Sequence, residues 1–203
     1  MKQIIITKNG GPNVLKLQEK PDPVPKDEEV TIRVKAAGIN FADILARKGL
    51  YPDAPPKPCV VGYEISGIIE SVGAKVDSGM TGKPALALTR FGGYSDVVSV
   101  PVNQVFEKPE SLSFEQAAGL PVNYLTAYQL LVVMGSLSKG ESILIHNAGG
   151  GVGLAALEIA KKIGAITYGT ASAKKHDFLK QKGLDYAIDY RTQDWTQELN
   201  KLT

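Results

Sequence analysis

The stretch HNAGGGVGL, residues 146–154, holds the residue types best suited to gripping a charged ligand. Consecutive glycines let backbone N–H groups approach an anion with no side chain in the way, and a helix starting at that point adds unpaired donors and partial positive charge. Ala148, Gly150 and Gly153 stand at the first, second and third glycine positions of the dinucleotide fingerprint G-x-G-x-x-G, with alanine in the first. A flexible turn is the competing reading, and the flanks bear on it. SILIHN (142–147) reads as a buried strand and 151–163 as a helix apolar almost all round, so the bend joins strand to helix as a nucleotide site requires. The expected phosphate-facing group is Ala148, Gly149, Gly150, Gly151, Val152 and Gly153.

About 20 residues beyond such a bend, an NAD site carries an acid that bonds the ribose 2′-hydroxyl. This chain has Thr170, Ser172, Lys174 and Lys175 there, and no acid. Two lysines in the first turn of a helix oppose its dipole, and a 2′-phosphate would relieve that; two solvated surface lysines are the alternative. NADPH is therefore the expected cofactor, with Thr170, Ser172 and Lys175 among the residues that bind it.

The elements that must position these residues change character along the chain. In EVTIRVKAA (29–37), Val30, Ile32, Val34 and Ala36 alternate with polar residues, the period-two pattern of a half-buried strand. Short strands are also expected at 2–7, 14–19, 60–72, 85–89 and 94–100, separated by glycine and proline turns. They are interrupted by one short helix near 41–48 that opens at Asn40. Many short strands with regular turns imply a small barrel or sandwich. After about residue 115 the period changes. Ser113 and Gln116 have capping-box spacing ahead of an apolar run that ends at Gly135. Strands at 142–147, 165–170 and 186–189 then alternate with helices at 151–163 and 174–182. This is a parallel α/β layout with helices on both faces of the sheet. The expected domains are 1–115 and 116–203.

Apolar residues make up 43% and charged residues 22%, which is globular composition, and the formal net charge of +2 comes without the basic block that would track a nucleic-acid backbone. The single cysteine, Cys59, excludes an internal disulfide and a thiolate zinc cluster. No run reaches the roughly 20 apolar residues of a membrane span, and the amino terminus lacks a signal-peptide pattern. A cytoplasmic protein without nucleic-acid partners is expected.

The segments AAGINFADILARKGLYP (36–52), VVGYEISGIIESVG (60–73), RFGGYSDVVSVP (90–101), LPVNYLTAYQLL (120–131) and HNAGGGVGLAALEIAKKIGA (146–165) together resemble the medium-chain dehydrogenase/reductase superfamily. The chain looks most like the zinc-independent quinone oxidoreductase branch, including its vesicle amine transport protein-like members. The resemblance implies a GroES-like β-barrel domain followed by a Rossmann domain, with cofactor and substrate in the cleft between them. Zinc-dependent relatives place a cysteine where this chain has Asn40 and a histidine where it has Tyr63, while keeping a glutamate like Glu64. His146 and His176 lack ligand spacing, so no metal is expected. His146 is expected to be hydrogen-bonded at its strand end and His176 to lie on a helix surface.

The resemblance further places Asn40 beside the nicotinamide and Thr126 at its amide, with Lys175 and Tyr190 where the 2′-phosphate is recognised. Asn40 also fits a plain helix N-cap. Without zinc, the expected acceptor is an already activated quinone or α,β-unsaturated carbonyl, reduced by hydride from NADPH. Tyr51, Tyr63 and Asp43 are the remaining polar candidates. Tyr51 is taken as a hydrogen-bond donor to the developing oxygen anion, or else as an aromatic residue packing a proline-rich loop. Asn40 and Tyr51 are thus the expected catalytic pair. Leu45 stands where bacterial quinone reductases often carry a tyrosine, and Met80 to Pro84 replaces their usual Gly-Asp-Arg-Val turn. A complete Rossmann sheet has two βαβαβ halves. This sequence is expected to stop after the first, with a homodimer possible for a longer chain. A non-catalytic nucleotide-binding or interaction protein of the same fold is the alternative function.

Overall fold

The computed structural model describes residues 1–202. The chain divides into two compact units, Met1–Pro121 and Val122–Thr203. In the first unit, β1 (Lys2–Ile6) and β2 (Leu15–Glu19) form an antiparallel ribbon. A five-stranded antiparallel sheet follows from β3 (Glu29–Ala37), β4 (Glu64–Val72), β5 (Pro84–Leu88), β6 (Val97–Pro101) and β7 (Val105–Glu107), in the order β6-β3-β4-β5-β7. The strand read at 29–37 forms, but its in-and-out alternation does not show in burial, since Val30, Thr31 and Ile32 are all buried. Val30 and Ile32 point into a cluster with Ile65, Ile69, Ala85, Ala87, Val98 and Val100, so removal of apolar surface from water sets the face that β3 turns inward. Helix α1 (Phe41–Lys48) interrupts the strands and ends at Gly49, whose φ of +79° is the left-handed conformation glycine supplies at helix ends. Helix α2 (Phe114–Ala118) opens at the Ser113–Gln116 capping box, with Gln116 N–H to Ser113 Oγ at 3.2 Å and Ser113 N–H to Gln116 Oε1 at 2.9 Å.

The barrel expected for this unit does not form: among the described residues no sheet closes on itself. β6 and β7 are the two ends of the five-stranded sheet, and outside its own ribbon β1 makes only isolated β-bridges, Gln3–Ser95 and Ile6–Cys59, among the described residues. Closure requires the edge strands to pair with the tilt and stagger that a barrel imposes. Strand β7 is three residues long and pairs only with β5, over Ala85–Ala87, so it offers little edge for such pairing. Alternation and turn spacing determine which face is buried and where the chain reverses, and neither determines whether the two edges meet.

The second unit begins with α3 (Pro121–Tyr128), which runs into a π-helical segment, Gln129–Met134. The apolar run read as one helix to Gly135 is therefore split, first at Gly119–Leu120 ahead of Pro121 and again by the widened turn. Then come β8 (Ser142–Ile145), α4 (Gly151–Ile163), β9 (Ile166–Ala171), α5 (His176–Gln181), β10 (Tyr186–Asp189) and α6 (Trp195–Leu202). The three strands are parallel in the order β10-β9-β8, the progression of the first half of a Rossmann sheet. Ala155, Ala156, Leu157 and Ala160 on α4 pack with Ile145, Ala148, Leu179 and Leu184 in the core of this unit.

Candidate functional site

The bend between β8 and α4 is built by backbone geometry. Asn147 adopts φ +52°, a conformation that asparagine tolerates better than most residues, and turns the chain out of the strand. Gly150 donates its N–H to the Asn147 carbonyl at 2.8 Å and caps α4, whose first internal bond runs from Leu154 N–H to Gly150 O at 2.9 Å. The N–H groups of the first turn precede any intrahelical acceptor and face outward from the helix start. Thr170 on β9 ties the bend down. Its carbonyl accepts the Ala148 N–H at 3.0 Å, and its hydroxyl accepts the Asn147 N–H at 3.2 Å and lies 3.2 Å from His146 Nδ1.

The glycines here are required by proximity. A Cβ on Gly153 would stand 2.4 Å from the Asn147 carbonyl oxygen, a backbone atom, so a side chain there would push the helix off the bend, and one on Gly150 would meet Asn147 Nδ2 at 2.6 Å. On Gly151 a Cβ would meet Asn123 Oδ1 at 2.4 Å. Alanine at position 148 is accommodated because Gly169 faces it: a Cβ on Gly169 would sit 2.8 Å from that of Ala148, which is fully buried. Lys175 reaches back from the single turn before α5 and donates to the Gly149 carbonyl at 2.8 Å, placing an ammonium against the glycine loop. Ser172 is buried and accepts the Lys175 N–H on its carbonyl at 2.9 Å.

The side chains brought against the bend are thus Asn123, Thr170 and Lys175. Thr126 is exposed on α3, and Tyr190 follows β10 half exposed. Asn123, Asn147 and Gly169 were missed in the sequence. Only Asn147 carried a signal, as an asparagine just ahead of a glycine turn. His146 is hydrogen-bonded at its strand end as expected and packs edge-on against Trp195, ring centres 4.8 Å apart. His176 is half-buried, its Nε2 lying 3.2 Å from the Ala171 carbonyl.

The polar residues of the first unit form a second cluster around the start of α1. Asn40 donates its backbone N–H to Asp43 Oδ2 at 2.8 Å and its side-chain amide to Glu64 Oε1 at 2.9 Å. Gly38 permits this, since a Cβ there would stand 2.3 Å from the same Glu64 oxygen. Asp43, only 4% exposed, also accepts the Gly62 N–H at 3.0 Å and the Tyr94 hydroxyl at 2.8 Å. One buried carboxylate therefore joins the α1 terminus to the turn that carries Tyr63 and leads into β4 at Glu64. Burial first, then the hydrogen bond to Asp43, pushes the Tyr94 phenol well above its ordinary range. Tyr51 and Tyr63 meet edge to face with ring centres 6.3 Å apart, and Phe91 lies 5.5 Å from Tyr63. Burial also raises Tyr63, whose hydroxyl has no hydrogen-bond partner among the described residues. Among those residues no group of three or more His, Cys, Asp or Glu side chains is placed to hold a metal ion.

Comparison with known proteins finds relatives across the whole chain. Residues 26–110 match the alcohol dehydrogenase GroES-like domain. The chain is 45% identical over 202 residues to the synaptic vesicle membrane protein VAT-1 homolog of Danio rerio, covering 98% of this chain and 42% of that protein. Its fold superimposes on the human VAT-1 homolog-like protein with a TM-score of 0.94 at 37% identity, covering 100% of this chain and 64% of that one. On the Escherichia coli quinone oxidoreductase complexed with NADPH the TM-score is 0.93 at 35% identity, covering 100% and 62%. The chain thus spans between about two fifths and two thirds of the length of these proteins.

Proposed function

The chain belongs to the medium-chain dehydrogenase/reductase superfamily, in its zinc-independent quinone oxidoreductase and VAT-1-like branch, and from that premise we propose that it serves NADPH-dependent hydride transfer to a quinone or an α,β-unsaturated carbonyl. The observation that carries this reading is the bend at residues 146–153: glycines crowded by their neighbours, with backbone closing on Gly153, a helix start, and the Lys175 ammonium at 2.8 Å from the Gly149 carbonyl. Such a cradle suits a pyrophosphate, because its donors are backbone groups and its charge is positive. In this reading Ala148 to Gly153 hold the pyrophosphate, and Thr170, Ser172, Lys175 and Tyr190 serve the 2′-phosphorylated ribose. Thr126 and Asn40 serve the nicotinamide end.

NADPH, when bound, supplies the hydride, and conjugation in the acceptor makes its carbon receptive. The protein's own contribution is orientation and hydrogen bonding. Residues 1–115 handle the acceptor and contribute Asn40 to the nicotinamide end, and those from 116 onward hold the rest of the cofactor. Asn40, fixed by Asp43 and Glu64, orients the reacting end, and the Tyr51 phenol donates to the oxygen on which charge develops. Calorimetric titration is expected to give tighter binding of NADPH than of NADH. NADPH absorbance is then expected to fall on adding members of a quinone and enone panel. A chain that binds NADPH yet oxidises it with no member of that panel would overturn the oxidoreductase reading.

A further inference from the structure

Beyond Asn40 and Tyr51, one polar atom in the first unit has no role in what has been described. The Tyr63 hydroxyl is shut away from water and lacks a hydrogen-bond partner among the described residues. Folded proteins seldom leave a buried hydroxyl unsatisfied, because its lost hydration is then uncompensated. A phenol keeps its proton at neutral pH, and burial, followed by the neighbouring Tyr51 phenol, raises its pKa further, so the hydroxyl remains a donor.

Its surroundings indicate which acceptor. Gly62 on one side gives its N–H to Asp43 at 3.0 Å, and Glu64 on the other takes the Asn40 amide at 2.9 Å, so Tyr63 rides on the same network that fixes Asn40. The Tyr51 ring meets it edge-on at 6.3 Å, and Phe91 lies at 5.5 Å with the Arg90 guanidinium 5.8 Å from the Phe91 ring centre. Aromatic walls of this kind favour a flat conjugated ring by stacking and edge contacts, which an open-chain enone offers only in part. Tyr51 begins the stretch 51–58, which belongs to no helix or strand. Displacing that stretch breaks no strand pairing, although Tyr51 and Ala54 must give up packing on the cluster of Ile6, Ala46, Cys59 and Val61.

We propose that Tyr63 is a specificity-determining residue whose hydroxyl donates to a carbonyl oxygen of a flat quinone entering among the Tyr51, Tyr63 and Phe91 rings. The acceptor reaches the covered hydroxyl by moving the Tyr51 segment aside, and the hydrogen bond gained offsets that movement. This assignment rests on the reading of the chain as a reductase of conjugated carbonyls and narrows its acceptor to quinones.

The test uses the 203-residue chain without NADPH, so that no turnover intervenes. 1,4-Naphthoquinone and naphthalene, which has the flat ring without the oxygens, are titrated by calorimetry into the wild type and Tyr63→Phe. The variant is expected to bind naphthoquinone about tenfold more weakly, the effect of losing one hydrogen bond, and naphthalene equally well. Its thermal midpoint is expected to match or exceed the wild type's, because the deleted hydroxyl had no partner to lose. Equal naphthoquinone affinity, a matching loss for naphthalene, no naphthoquinone binding by the folded wild type, or a lowered midpoint would each overturn the assignment. Failure of the reductase reading looks different: Tyr63-dependent naphthoquinone binding persists while NADPH is not consumed.

Discussion

At the scale of single residues, Lys175 joins the loop to the coenzyme choice. Its ammonium lies at the Gly149 carbonyl with no acid opposite it in the Thr170–Lys175 segment, so it is available to a phosphate as well as to the loop. Lys175→Ala is expected to weaken NADPH binding by about tenfold and leave NADH nearly unchanged, because the 2′-phosphate loses a charged partner while the bend stays intact. Calorimetry with both coenzymes checks this, and equal losses for the two would mean that Lys175 supports the loop instead of the 2′-phosphate. The lysine was legible because its charge opposed a helix dipole, and the glycines because they followed a strand pattern. Asp43 was legible only as a polar candidate. Its three donors come from residues 40, 62 and 94, and partners so far apart in the chain leave no local spacing to read. Asn123 was silent for the same reason: it reaches Gly151 across the fold, from a helix whose face toward α4 no periodicity reveals.

At the scale of elements, legibility followed the strength of the local pattern. β3 and α4 appear at the residues read for them, since nine alternating positions and a thirteen-residue apolar stretch bounded by glycines each admit one periodicity. β7 was missed because three residues hold no periodicity. α6 was missed although Trp195, Leu199 and Leu202 recur at helical spacing behind Asp194, whose carboxylate accepts the Thr196 N–H at 3.0 Å. The barrel failed at another level, because closure is a property of two edges and not of any strand. At the candidate site, α4 fits closely on the end of β8. Gly153→Ala would set a methyl 2.4 Å from the Asn147 carbonyl oxygen, a backbone atom that cannot swing away. Overpacking of this kind costs about 1–3 kcal/mol. The variant is expected to melt several degrees lower and to bind NADPH more than tenfold more weakly, since α4 must retreat from the bend whose N–H groups it aims. A variant with wild-type melting and affinity would show that the bend tolerates displacement.

At the scale of the whole molecule, ionisable groups in both units set a pH window for the fold. Asp22 is held below its ordinary range first by the amino terminus, and Glu29 first by the Ser99 hydroxyl, both in the first unit. In the second unit burial works to raise Asp185, but Lys161 and Thr167 outweigh it and hold the carboxyl low, while Asp189 is lowered chiefly by the Arg191 N–H. A carboxylate lowered by folding contributes stability that is present above its unfolded pKa and lost as pH falls through the folded one. Both units are therefore expected to weaken below about pH 4, near the unfolded carboxylate values. The phenols act at the other end. Tyr63 and Tyr94 are raised mainly by burial, and Tyr124 is pushed up to about 12, first by its hydrogen bond to Glu158. A raised phenol contributes stability that is complete below its unfolded pKa, about 10, and disappears as pH climbs through the folded value. Urea unfolding across pH is accordingly expected to give a plateau between those limits with a fall on each side. In a spectrophotometric titration three of the eight tyrosines are expected to ionise later than the rest, or only as the chain unfolds. Uniform ionisation of all eight near pH 10 in folded protein would contradict the buried phenol arrangement.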